Sequence, residues 1–266
     1  MTTQHTSVCK QSHHRLHRQA GLTLVEIMVA VTLSLVLLAG VMQIFIGSKS
    51  AYNLQNGIGR LQENARFATD ILANSIGLAG MTTSYPSVPG FGPFTQANVS
   101  DNVTENAALG TSTANGNASD IIEVNFEGTV DCLGNPTGGT VTNRFFLNGS
   151  NLMCLGNGAV AAGVIAEGID SLQILYGEDT DDDGAANRYV SANNLAWTVS
   201  GGNTVPANTV TSVRIAVLAN SVSSVSGAVD NNAYALLNAQ PIGPIGDNLY
   251  RRAYSRTILL RNPYPL

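Results

Sequence analysis

The chain has 266 residues, 12% of them charged, with a formal net charge of −5. That length leaves room for one substantial core besides any membrane segment. The acidic balance excludes a nucleic-acid surface built on an excess of Lys and Arg, and the sparse charge suits an exported β-rich domain better than a cytosolic enzyme.

The first 21 residues carry Lys10, Arg15 and Arg18 and no Asp or Glu. Leu22 to Ile46 then form a 25-residue apolar run in which Glu26 is the one charged side chain. About 20 apolar residues suffice for a helix to cross a bilayer core. The basic flank predicts a cytoplasmic N-terminus and an exported C-terminal bulk. A carboxylate inside a span costs about 2.5–3.5 kcal/mol, so Glu26 points to a function with a specific partner. A secretory signal would place a small-residue cleavage site after an apolar region of about 7–15 residues. Here the apolar run is longer, and Gly21 lies before it. An ordinary single-span anchor also fits the hydropathy, but it gives Glu26 no role.

The stretch Gly21-Leu22-Thr23-Leu24-Val25-Glu26 resembles the class III signal of type IV pilins and related pseudopilins. The resemblance implies that a prepilin peptidase cuts between Gly21 and Leu22 and methylates the new amine, and that Glu26 serves assembly. The first mature residue is Leu22, where the family usually has Phe. Such a cut removes His5, His13, His14 and His17, the four histidines of the chain. The mature protein then has no Ser-His-Asp or Cys-His catalysis and no histidine-ligated zinc. It keeps 10 of the 13 basic residues against all 18 acidic ones. Cys9 stays on the reducing side, whereas Cys132 and Cys154 are exported to a compartment where disulfides persist, and are expected to be bridged.

Beyond Ile46, the residues Leu54, Ile58, Leu61, Ala65, Ala68, Leu72 and Ile76 recur at spacings of three and four and predict an amphipathic helix. Gly47, Gly57 and Gly59 weaken it by up to about 1 kcal/mol each; they are either tolerated surface positions or a segment that loosens on assembly. The expected organisation is a leader over 1–21, a long helix over 22–80 (22–46 in the membrane, 47–80 amphipathic), and an exported β-rich domain over 81–266. Arg60-Leu61-Gln62-Glu63-Asn64-Ala65-Arg66-Phe67-Ala68 and Ile76-Gly77-Leu78-Ala79-Gly80 resemble PilW-like minor pilins. Where that family often has Gly-Cys after this point, Met81-Thr82-Thr83 stands here. The implied fold is α+β and pilin-like, a long N-terminal helix packed on an antiparallel sheet.

Met81 to Ser119 is rich in Pro, Gly, Asn, Ser and Thr and reads as loops or a surface insertion. Strands are predicted over Ile121–Phe126, Val141–Leu147, Leu152–Cys154, Ile169–Tyr176, Thr211–Ala219 and Ala253–Leu260, with Asn148-Gly149 as a hairpin turn. Arg256 to Asn262 also resembles the closing strand of PilW-like proteins.

Asp179, Asp181 and Asp183 stand at alternate positions before Gly184, as in calcium loops, with Asn187 at the ninth position. Val190 occupies the twelfth, where a bidentate Glu would complete an EF-hand. The loop reads equally as a weak calcium site or as a solvated turn. No cofactor is otherwise required.

The resemblance implies a non-enzymatic minor pilin that acts in pilus assembly or initiation, with a place in a tip complex. Its expected partners are the prepilin peptidase, other minor pilins, the major pilin and a tip adhesin. Its expected location is the inner membrane with a periplasmic C-terminal domain, then the pilus at the cell surface. The alternative is a type II secretion pseudopilin, which shares Glu26 and the cleavage motif. A membrane-anchored hydrolase would need paired carboxylates, and Glu123, Glu127 and Glu167 show no such spacing.

Overall fold

The computed structural model describes residues 21–82, 100–103, 119–200, 203–225 and 229–261. Residues 1–20 of the leader expected over 1–21, and most of the 81–119 segment, lie outside those residues. Two compact units result, Met1–Lys49 and Ser50–Leu266. Helix α1 runs over Leu24–Leu78, 55 residues, and belongs to both.

In the first unit, α1 is exposed along its whole length. Among the described residues it is the one helix long and apolar enough to cross a membrane. Two of its polar side chains bond within the helix. Thr32 Oγ1 donates to the Val29 carbonyl at 2.9 Å and Ser34 Oγ to the Ala30 carbonyl at 2.7 Å, as a lipid environment requires.

In the second unit, α1 buries the stripe expected from its periodicity. Leu61, Ala65, Ala68, Leu72 and Ile76 are fully buried, and Leu54 and Ile58 half-buried. The helix ends at Leu78, and Gly80 then takes φ 74°, a conformation that glycine adopts without a Cβ penalty. The exit is tied to strand β2 (Ser119–Val130): Gly80 N–H donates to the Asn125 carbonyl and Glu127 N–H to the Met81 carbonyl, both at 2.8 Å.

A five-stranded antiparallel sheet has the order β1 (Ser100–Val103), β2, β3 (Pro136–Asn148), β4 (Asn151–Gly156), β5 (Gly163–Glu167). A four-stranded sheet has the order β11 (Arg251–Leu259), β10 (Thr209–Asn220), β6 (Ile169–Asp179), β7 (Arg188–Val190). Between β7 and β10 lie a short 3₁₀ turn (Ala192–Asn194) and the hairpin β8 (Trp197–Ser200) with β9 (Asn203–Pro206). The helical stripe joins Ile122, Phe145, Leu152, Ile174, Ile215 and Val217 in one core. Ala216 and Leu218, on the opposite face of β10, pack with Leu236 and Ile242. Strand β10 is thus covered on both faces, which accounts for its near-continuous apolar sequence.

The six predicted strands form, most of them longer than expected. Strand β1 lies inside the segment read as loop, and β5, β7, β8 and β9 were not anticipated. The β3–β4 turn is displaced by one residue. Asn148 pairs with Asn151, so the loop is Gly149-Ser150, with Gly149 at φ 60°, a glycine-first turn suited to strand twist. Gly57 also corrects the expectation. It is buried, and a Cβ there would stand 3.3 Å from Cβ of Ser221. The glycine permits close approach of the helix to the segment after β10, whereas Gly47 and Gly59 face open space.

Candidate functional site

The segment around Gly21 and Glu26 is built by the start of α1. Gly21, Leu22 and Thr23 precede the helix, and Leu22 is exposed. Thr23 is the N-cap: its Oγ1 accepts the Glu26 N–H at 3.3 Å, and its carbonyl accepts the N–H groups of Glu26 and Ile27 at 3.1 and 3.2 Å. Thr23-Leu24-Val25-Glu26 thus has the residue types and spacing of a capping box. Glu26 lies in the first turn, where the helix dipole favours a negative charge. Its carboxylate shares one helix face with Ile27, Ala30, Val31, Ser34, Leu35 and Leu38. That face offers a single charge on an apolar stripe open to a partner.

In the exported domain, Cys132 and Cys154 form a disulfide with a Cα–Cα distance of 6.5 Å. It ties the loop after β2 to the buried side of β4. Asp131 shapes that loop by accepting the N–H groups of Leu133 and Asn135 on Oδ1, at 2.9 and 2.8 Å. Burial pushes the Asp131 carboxyl up, but the Asn135 and Leu133 donors outweigh it and hold the group below the usual carboxylate range.

The acidic turn joins β6 to β7. Oxygen atoms of Asp179, Asp181 and Asp183 lie within 4.8 Å of one another, close enough to share a hard cation. The fourth expected ligand, Asn187, has a backbone partner in the turn. Asn187 Oδ1 accepts the Thr180 N–H at 2.7 Å and so braces the turn. Asp179 is also engaged, accepting the Gly184 N–H at 2.7 Å and the Asp181 N–H at 3.3 Å. Burial raises the Asp179 carboxyl, and these backbone donors more than reverse the effect. Asp182 at φ 57° and Gly184 at φ 87° make the sharp reversal. Asp183 Oδ1 likewise accepts the Ala185 N–H at 2.8 Å, so two of the three carboxylates are already bonded to the backbone of the turn.

One cluster escaped the sequence reading. Arg251, at the start of β11, is buried among three aspartates. Its Nε donates to Asp170 at 2.7 Å, Nη1 to Asp230 at 3.0 Å, and Nη1 and Nη2 to the two oxygens of Asp247 at 2.6 Å. Asp170 Oδ1 accepts the Ser150 hydroxyl at 2.6 Å and the Asn220 amide at 2.7 Å, and Asp230 accepts from Tyr234 OH at 3.0 Å. Burial disfavours the Arg251 charge, but Asp247 and Asp170 more than restore it. The available signal was Asp170, a lone charge in the otherwise uncharged stretch Gly168–Tyr176.

Residues 138–262 match the family Type IV Pilus-assembly protein W, and residues 16–42 match the prokaryotic N-terminal methylation motif. Over these two stretches the chain resembles PilW-like type IV pilins. The methylation-motif match spans Gly21, Leu22 and Glu26, and the PilW match contains Cys154, the acidic turn, Arg251 and the strands from β4 to β11. The PilW-like chain is also similar to a type IV-like pilin from Thermus thermophilus, at 12% identity and a TM-score of 0.42, over 76% of this chain and 97% of that one. No curated protein matches it.

Proposed function

We propose that this PilW-like chain is a non-enzymatic minor subunit of a type IV pilus, acting in pilus assembly or initiation and in a tip complex. The observation that carries the reading is Glu26: a lone carboxylate in an apolar helix, one turn from Gly21, in a chain whose C-terminal half matches PilW. In this reading the basic leader directs insertion, and the peptidase exposes and methylates the Leu22 amine. The helix holds the subunit in the inner membrane, with the C-terminal domain in the periplasm, until it enters the filament. There Glu26 pairs with the N-terminal amine of a neighbouring subunit, offsetting the desolvation of both charges. Its partners are other minor pilins, the major pilin and a tip adhesin. The PilW match supports a pilus subunit over a secretion pseudopilin.

Intact-mass analysis of the native protein tests the reading at its root. The expected chain begins at Leu22 and carries one added methyl group. A mature start elsewhere, or uncut protein in a strain with active peptidase, removes it.

A further inference from the structure

The four outer strands of the two larger sheets are not equally protected. Strand β1 has four residues, β7 three and β5 five, and both β1 and β5 pair through a register shift. Strand β11 has nine residues and pairs with β10 without a shift. Short length and bulges are what normally block addition of a further strand, and β11 has neither.

The register states which backbone groups are available. Leu260 N–H donates to the Thr211 carbonyl and Ser221 N–H to the Tyr250 carbonyl, both at 2.9 Å. Even-numbered residues of this antiparallel pair therefore exchange hydrogen bonds with β10. The odd-numbered Ala253, Ser255, Thr257 and Leu259 turn their N–H and C=O groups outward. All four are exposed, Leu259 at 74%, and among the described residues no strand pairs with them.

The side chains specify the partner's charge. Arg252 and Arg256, both exposed, flank half-buried Tyr254 on the helix-facing side, and the Arg252 guanidinium lies 5.7 Å from the Tyr254 ring centre. Arg256 Nη1 donates to Asp70 on α1 at 2.6 Å. If a second β11 added antiparallel at this edge, every well-overlapped register would set Arg252 or Arg256 opposite or diagonal to another arginine, which is unfavourable. A strand with carboxylates at alternate positions makes opposite-charge pairs in the same places.

We propose that the free edge of β11 docks an extended acidic strand of another protein, added to the sheet beside β11. The main chain of Ala253 to Leu259 supplies the ladder, and Arg252 and Arg256 select for negative charge. This goes beyond the pilus reading and does not depend on it.

Two labelled nine-residue peptides test it against the full chain in detergent, by fluorescence anisotropy. They share an alternating Thr/Val framework, one with Glu and the other with Lys at the charged positions. The Glu peptide is expected to bind at least about tenfold more tightly than the Lys peptide. Ser255→Pro removes an outward N–H without touching the bonds to β10, so it should weaken binding at least about tenfold at an unchanged melting temperature. Arg252→Glu should shift the preference toward the Lys peptide, and it decides the matter if Ser255→Pro lowers stability. Failure of both peptides to bind, equal binding of both, or Glu-peptide binding unaffected by a folded Ser255→Pro variant overturns the proposal. A dimer of the chain itself that Ser255→Pro dissolves in sedimentation also overturns it, because the occupant would then be a second copy.

Discussion

Asp120 Oδ2 accepts the backbone N–H of Ile174 at 2.7 Å, across 54 residues of sequence. Ser119 Oγ accepts the N–H of Leu172 beside it, at 3.3 Å. Strand β7 covers β6 only from Tyr176 to Glu178. Side chains at the start of β2 therefore satisfy the part of the β6 edge that β7 does not reach. This is how the two sheets are joined, and it leaves buried backbone groups partnered as an apolar core requires.

Replacing Asp120 tests that joint. Asp120→Ala leaves the Ile174 N–H buried without this acceptor and is expected to cost about 1–3 kcal/mol. Asp120→Asn keeps an acceptor oxygen and should cost less. Urea midpoints of a soluble fragment starting at Ser50 provide the measurement. Equal midpoints for wild type and Asp120→Ala would show that the contact is dispensable.

The Arg251 cluster sets the acid sensitivity of the domain. The Arg251 hydrogen bonds hold the Asp247 carboxyl below its ordinary range. For Asp230, burial acts upward but is outweighed by the Asn232 N–H and by Arg251. A depressed folded-state pKa contributes stability above the unfolded value, about 3.9, and that contribution is lost as pH falls through the folded value. Stability should therefore hold from pH 7 to about 5 and fall below about 4. Arg251→Met leaves Asp170 and Asp230 buried without their cation and should cost about 3–5 kcal/mol at pH 7. It should also shrink or reverse the acid loss, since buried carboxyls without the cation have raised native pKa values and protonation then favours the folded state. A pH–stability curve that Arg251→Met shifts down without changing shape would contradict this account.

The disulfide closes a loop between residues 22 positions apart. Cys132→Ser with Cys154→Ser should lower stability by about 3 kcal/mol, through restored freedom in the unfolded chain. Thiol labelling of denatured, unreduced protein is expected to find neither cysteine reactive. Two reactive thiols per chain in periplasmic material would rule the bridge out.

Glu26 separates insertion from assembly. Removing its charge makes the apolar run a better membrane span, so Glu26→Ala should insert normally. Incorporation into filaments should fall sharply, because the Leu22 amine of a neighbour would lose its counter-charge. Immunogold counts on sheared pili give the comparison, and normal incorporation of the variant would show the carboxylate to be unnecessary.

The sequence by itself determined what depends on near neighbours along the chain. The Leu22–Ile46 run and the Leu61-to-Ile76 stripe are readable because helical contacts repeat every three or four residues. Strands β6 and β10 are readable because burial on both faces favours apolar-rich runs such as Leu172–Tyr176 and Ile215–Ala219. The charged alternation of the acidic turn was visible too, and its three aspartates do come together. The bond from the Thr180 N–H to Asn187 Oδ1 was not visible, because it depends on the reversal at Asp182 and Gly184.

Only the tertiary structure decided the rest. Arg251 meets Asp170 across 81 residues and Asp230 across 21, so no local period links them. Gly57 reads as a weak point of a helix until Ser221 comes within 3.3 Å of where its Cβ would stand. The short strands β1, β5 and β7 carry too few residues for an alternation to show, and they exist because longer neighbours offer backbone groups to pair with. Helical and strand periods are written in residue spacing. Ion clusters, sheet order and the free edge of β11 follow from which distant segments burial brings together.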